Sequence, residues 1–158
     1  AHVVRDTPIA EIVLNGDAVG VTQKKYKSTG KLLAYVVARD EENDVALLRL
    51  VKPLNGIRPV SVGNSVKKGL PVLTIGFPGP FNKHVSAGIV SGSRGGNNYS
   101  DVSIAPGNSG GGVFNSDGEL IGLAKAMTGP LPIPTYQGFS VLTALDAIRT
   151  LVEKYRAF

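Results

Sequence analysis

One serine set among glycines dominates the chemistry this sequence can support. It lies in Ala105-Pro106-Gly107-Asn108-Ser109-Gly110-Gly111-Gly112. By itself such a cluster reads as a loop. A serine hydroxyl is a poor nucleophile until a neighbouring base accepts its proton. The glycines let the backbone turn tightly and bring N–H groups close to a substrate carbonyl. Two such groups aimed where negative charge develops make an oxyanion hole, and losing one donor costs about 3–4 kcal/mol of transition-state stabilisation. Ser109 therefore requires an imidazole, and the imidazole requires a carboxylate.

Only His2 and His84 can supply the ring. Gly107-Asn108-Ser109-Gly110-Gly111 formally fits the nucleophile elbow of α/β-hydrolases, but that fold needs a helix directly after the serine and a histidine downstream of it. Here a strand and hairpin pattern follows, and no histidine comes later. An order of Asp44, His84, Ser109 would be that of subtilisin, whose α/β scaffold contradicts a β-rich pattern. His84 also falls in a strand-like segment, as a structural or surface residue would. The order that remains is His2, Asp44, Ser109, that of chymotrypsin-like double barrels. Asp44 heads Asp44-Val45-Ala46-Leu47-Leu48-Arg49-Leu50, where an unpaired buried carboxylate would be costly. An imidazole N–H would satisfy it and fix the tautomer whose other nitrogen faces the serine. Asp44 reads equally as an exposed turn residue closing the acidic stretch Asp40 to Asp44. Calcium is excluded, because Val45 stands where an EF-hand loop needs Gly.

Positioning these residues falls to many short strands. Apolar runs alternate with turn signals in the manner of a sandwich or barrel. Strands are expected over Ile9–Leu14, Ala18–Thr22, Lys31–Ala38, Asp44–Leu50, Leu70–Phe77, His84–Gly92, Val102–Ile104, Val113–Phe114 and Glu119–Ala126. Asn15-Gly16 and Asn115-Ser116-Asp117-Gly118 are hairpin signals. The stretch from Lys52 to Pro59 reads as a connector between two halves, and a Gly/Asn loop follows Gly92. Leu142, Leu145, Ile148, Val152 and Tyr155 recur at helical spacing and predict one closing helix with its apolar stripe on the β body. Thr143 and Asp146 resemble a capping box, with Ser140 an alternative cap.

Composition agrees. The chain has 158 residues, 42% apolar and 18% charged, which argues against disorder and for one compact unit. With 20 Gly and 10 Pro it is too rich in turn residues for a helical bundle. The absence of Cys removes disulfides, thiolate metal sites and a cysteine nucleophile. No stretch has the apolar length of a membrane span. The net charge of +5 comes from lysines scattered on turn-like segments such as Gln23–Lys27 and Val66–Gly69. No aromatic strand suited to base stacking accompanies them, so no nucleic acid is expected.

Taken together, these segments resemble the protease domain of the HtrA (Deg) family of trypsin-like serine proteases. Ala1-His2-Val3-Val4 resembles the segment of the catalytic His, and Asp40-Glu41-Glu42-Asn43-Asp44-Val45-Ala46-Leu47-Leu48 that of the catalytic Asp. Val72–Pro78 and Ser86–Ser91 resemble the strands before the serine loop, Ala105–Gly111 is the most specific match, and Gln137–Val141 resembles the closing segment. The resemblance implies an all-β chymotrypsin-like double barrel with a C-terminal helix, divided as 1–58, 59–140 and 141–158 within one protease domain. It implies His2 as general base, Asp44 as its orienting acid and Ser109 as nucleophile, with the N–H groups of Gly107 and Ser109 as the oxyanion hole. Ser103 maps to the floor of the primary specificity pocket, narrowed by Ile104, Ala105 and the Lys125-Ala126-Met127 strand. An uncharged floor implies preference for small or medium aliphatic side chains. The expected activity is endopeptidase cleavage of unfolded or exposed polypeptide through an acyl-enzyme, in protein quality control, without metal or cofactor. The resemblance leaves oligomerisation open and favours a compartment outside the cytoplasm. A non-catalytic module of the same fold, binding peptides or partner proteins, is the alternative.

In the family, strands of the first barrel precede the catalytic His, whereas His2 is the second residue here. The expectation is a first barrel without its N-terminal strands, in a chain that is a piece of a longer polypeptide. The PDZ module that follows the protease domain in many family members is not part of this sequence, and capture of substrates through it is not expected of these residues.

Overall fold

The computed structural model describes residues 1–15, 18–22, 31–78, 83–128 and 138–156. The Gln23–Lys27 segment, Gly16 of the first hairpin signal, and Gln137 lie outside them. The chain opens with a 3₁₀ turn, His2–Val4. An antiparallel sheet follows in the order β2-β1-β3-β4, from β1 (Ile9–Asn15), β2 (Ala18–Thr22), β3 (Lys31–Asp40) and β4 (Val45–Leu50). Residues 51–70 then lead across to a second body, joining it where Val62 bridges Leu120.

That body is a closed six-stranded barrel. Its strands are β5 (Pro71–Gly76), β6 (His84–Arg94), β7 (Asn97–Ser100), β8 (Gly112–Asn115), β9 (Leu120–Met127) and β10 (Ser140–Thr143), closing in the order β10-β7-β6-β5-β8-β9. Alternation along the strands turns Val72, Val90, Val113, Ile121, Ala124 and Leu142 inward, where Val102 and Ile104 complete the core. The helix α1 (Leu145–Tyr155) follows β10 directly. Ile148 and Leu151 pack on Val45 of β4, while Leu120 and Leu123 of β9 border the same cluster. One helix thus covers parts of both bodies.

The all-β reading with a closing helix holds, and four local expectations are corrected. The Gly/Asn loop is a hairpin: Arg94 pairs with Asn97, and Gly95 and Gly96 both take positive φ, as a two-residue turn compatible with strand twist requires. Val102–Ile104 is not a strand. Side-chain hydroxyls satisfy its backbone instead, since Val102 N–H donates to Ser100 Oγ and Ser140 Oγ donates to the Val102 carbonyl. Leu142 belongs to β10 rather than the helix, whose buried residues are Leu145, Ile148 and Leu151. No side chain caps the helix at Ala144. The expected caps are engaged elsewhere, Ser140 as above and Thr143 by donating to the Asn43 carbonyl at 3.3 Å.

Candidate active site

Asp44 closes the turn between β3 and β4. Asp40 Oδ1 accepts the Asn43 backbone N–H at 3.0 Å and Oδ2 accepts Asn43 Nδ2 at 2.8 Å, which rigidifies the turn and holds the Asp40 carboxyl below its usual range. Asp44 then takes φ 59°, a left-handed conformation that aspartate tolerates better than most residues. This excludes Asp44 from the strand, which begins at Val45.

The Asp44 carboxylate gathers the start of the chain. Oδ1 accepts the His2 backbone N–H at 2.7 Å and the Ala1 amino group at 2.9 Å. Oδ2 lies 2.5 Å from His2 Nδ1. Burial raises the Asp44 pKa, yet the His2 N–H, the Ala1 amino group and the His2 ring outweigh it and hold the acid at about 2. The group is therefore ionised at neutral pH and can only accept, so the proton of a neutral ring sits on Nδ1 and the Nε2 lone pair is left available. The ring is 37% exposed. It is tethered on one edge and open on the other.

The serine loop is built by backbone. Asn108 N–H donates to Ala105 O at 2.9 Å and Gly111 N–H to Asn108 O at 2.8 Å. On β9, Ala124 accepts from Gly110 N–H at 2.8 Å and donates to Gly111 O at 2.9 Å. Gly107 has φ 108°, and a Cβ there would fall 2.1 Å from the Phe77 carbonyl, so the tight turn demands glycine. Beneath it the Asn108 side chain is buried against Gly76, with Oδ1 unpaired among the described residues. Ser109 is exposed. Among the described residues no hydrogen bond occupies the N–H of Gly107, the N–H of Ser109 or the Ser109 hydroxyl. Two backbone donors of this loop, on either side of Asn108, are thus unoccupied among the described residues.

The two halves meet beside the serine, where a Cβ on Gly110 would lie 3.7 Å from Val3 Cγ2. The structure joins His2 to Asp44 directly and brings the Ser109 loop against the His2 turn. The proposed pocket residues fare unequally. Ser103 is exposed, its carbonyl accepting Ser86 Oγ at 2.5 Å. Ala105, Ala126 and Met127 are exposed as well. Ile104 sits in the barrel core, so its bulk fills the interior rather than a pocket wall. Lys125 Nζ donates to Asn97 Oδ1 at 3.4 Å, which directs it toward β7. His84 is exposed at the start of β6. One residue escaped the sequence reading. Arg39 Nη2 donates to the Val4 and Thr7 carbonyls that follow the His2 turn, and nothing in the sequence but its place five residues before Asp44 could have marked it.

Residues 1–123 match the trypsin-like peptidase domain family. The chain belongs to the trypsin-like peptidase domain family, and the curated relatives it is similar to include HtrA- and DegP-like serine proteases. It is 34% identical over 139 residues to the chloroplastic protease Do-like 1 of Arabidopsis thaliana, covering 79% of this chain and 31% of that one. A probable periplasmic DegP-like serine endoprotease of Pseudomonas fulva is 38% identical over 122 residues, 71% of this chain and 24% of its own. The HtrA-like serine protease of Staphylococcus haemolyticus is 30% identical over 166 residues, 90% of this chain and 26% of its own. The chain thus spans about a quarter to a third of these relatives. The crystal structure of the serine endoprotease from Yersinia pestis aligns with a TM-score of 0.72 and 25% identity, covering 97% of this chain and 50% of that one. Its likeness supports the chymotrypsin-like fold expected of the HtrA/Deg branch.

Proposed function

We propose that this chain is a serine endopeptidase domain of the HtrA/Deg type, acting on unfolded or exposed polypeptide segments. His2 Nε2 takes the Ser109 hydroxyl proton as Ser109 Oγ bonds to the scissile carbonyl carbon. The carbonyl oxygen takes up the negative charge between the N–H groups of Gly107 and Ser109. The tetrahedral species collapses to an acyl-enzyme as the peptide C–N bond breaks, and His2 returns its proton to the leaving amine. Water, deprotonated by the same ring, then releases the acyl group and regenerates the hydroxyl. Asp44 remains ionised throughout and stabilises the imidazolium. The observation that carries this reading is the His2 Nδ1–Asp44 pair set beside a serine loop whose two backbone donors are unoccupied among the described residues.

The uncharged Ser103 favours small or medium aliphatic residues before the cleaved bond, the names of the periplasmic and chloroplastic relatives favour work outside the cytoplasm, and the family resemblance favours a role in protein quality control. A fluorophosphonate probe tests the proposal. Labelling of Ser109 read by peptide mass spectrometry is expected in the parent and absent in Ser109→Ala. Equal labelling of the variant, or none of the parent in its full polypeptide, would turn the reading toward a non-catalytic binding module.

A further inference from the structure

The His2 turn is gripped at both ends by one hairpin. At its start, Asp44 binds Ala1 N and His2 N. At its end, Arg39 Nη2 donates to Val4 O at 3.0 Å and to Thr7 O at 2.5 Å. Arg39 pairs with Ala46 and Asp40 with Val45, so both gripping residues sit at the tip of the β3–β4 hairpin. The Asp40–Asn43 bonds fix the distance between them. Past Thr7 the chain joins the sheet, Val36 N–H donating to Pro8 O at 2.9 Å. Without Arg39, residues 4 to 7 would keep the turn bonds Val4 N–H to Ala1 O at 2.9 Å and Thr7 N–H to Val4 O at 3.4 Å, and the bonds of the Thr7 hydroxyl with the Ile9 carbonyl and N–H, none of which ties the Val4 carbonyl to the sheet.

We infer that Arg39 is a positioning residue for the proposed general base. Its guanidinium pins the carbonyls behind the His2 turn so that the ring keeps its geometry with Asp44. A charged donor bonded to two carbonyls is stronger than a neutral one, and a planar guanidinium loses little freedom in making both bonds. The catalytic part of this inference rests on the protease reading. The effect on the His2–Asp44 pair does not.

The test separates the two. The chain has only two histidines, and exposed His84 serves as internal reference. In the full polypeptide, solvent exchange of the His2 Nδ1 proton is followed by NMR in the parent, Arg39→Met and Arg39→Lys. Arg39→Met keeps the aliphatic stem but no donor. It is expected to speed that exchange roughly tenfold and lower kcat by a similar factor with KM unchanged. His84 signals stay where they were. Arg39→Lys, a charged donor, recovers most of both effects. Should Arg39→Met fail to fold, Arg39→Gln, too short to span both carbonyls, is read by the same criteria. Parent-like exchange in a folded Met or Gln variant overturns the inference, as does a Lys variant no better than Met. If the parent hydrolyses nothing, the exchange rates still decide the role of Arg39, and the protease reading fails separately through the absence of Ser109 labelling.

Discussion

In the six-stranded barrel every strand has two bonded neighbours, and its core comes from its own strands and the segment that ends at Ile104. The four-stranded sheet stops at β2 and β4, and Val45 is buried in a cluster with Ile148 and Leu151 of α1, bordered by Leu120 and Leu123 of β9. The serine loop belongs to the barrel, and the His2–Asp44 pair to the sheet. The difference shows in how each is held. The serine loop rests on backbone bonds to β9 and on Gly107, where any side chain would collide with the Phe77 carbonyl. The His2–Asp44 pair rests on side chains, with Asp44 and Arg39 reaching out from a hairpin tip. Closure makes the nucleophile's platform independent, while the base depends on polar contacts and on a borrowed helix.

The largest expected effect divides chemistry from scaffold. Asp44→Asn should lower kcat by roughly 10⁴-fold, since an amide can present its N–H to His2 Nδ1 and stabilise the wrong tautomer. The serine loop is untouched by this change. A steady-state assay beside a thermal melt checks it, and a small kcat loss at unchanged stability would mean that the pair does not serve Ser109. Next come matched core truncations. Ile121→Ala in the barrel and Ile148→Ala on the helix should each cost about 2–5 kcal/mol. Hydrogen exchange should then distinguish them, Ile121→Ala weakening protection throughout and Ile148→Ala loosening β3 and β4 while β5 to β8 stay protected. Identical patterns would dissolve the contrast between the two bodies.

The smallest effect is acidic. With a folded pKa of about 2 against an ordinary 3.8, Asp44 contributes stability that is present above pH 3.8 and lost as pH falls through 2. Urea titrations at pH 5 and pH 2 should show the parent losing up to about 2 kcal/mol more than Asp44→Asn. Equal losses would remove Asp44 from the forces that hold the His2 turn.

Much of this was legible before any coordinates. Strand existence followed from apolar alternation, and β8, β9 and their hairpin were visible because Asn115 dictates its own turn, Oδ1 accepting from Asp117 N–H and Glu119 N–H. Strand β7 was hidden because Asn97-Asn98-Tyr99-Ser100 has poor strand propensity and is held by pairing on both sides. The Val102–Ile104 run misled because apolar burial can be met without a partner strand when hydroxyls satisfy the backbone. In the site, Ser109 and Asp44 announced themselves by neighbours in sequence. Arg39 did not, since its partners lie 32 to 35 positions away and are main-chain carbonyls that carry no residue-specific signature.

The contact between Thr143 and the Asn43 carbonyl links residues 100 positions apart, just ahead of the helix that buries Val45. A ribosome delivers the hairpin of Asp44 early and its cover only after more than a hundred further residues have emerged. The barrel can mature while the nascent chain still lacks that cover. The proposed proteolytic competence would then wait on a helix that emerges well after the residues it covers, a delay that would spare the nascent chain from its own incomplete active site.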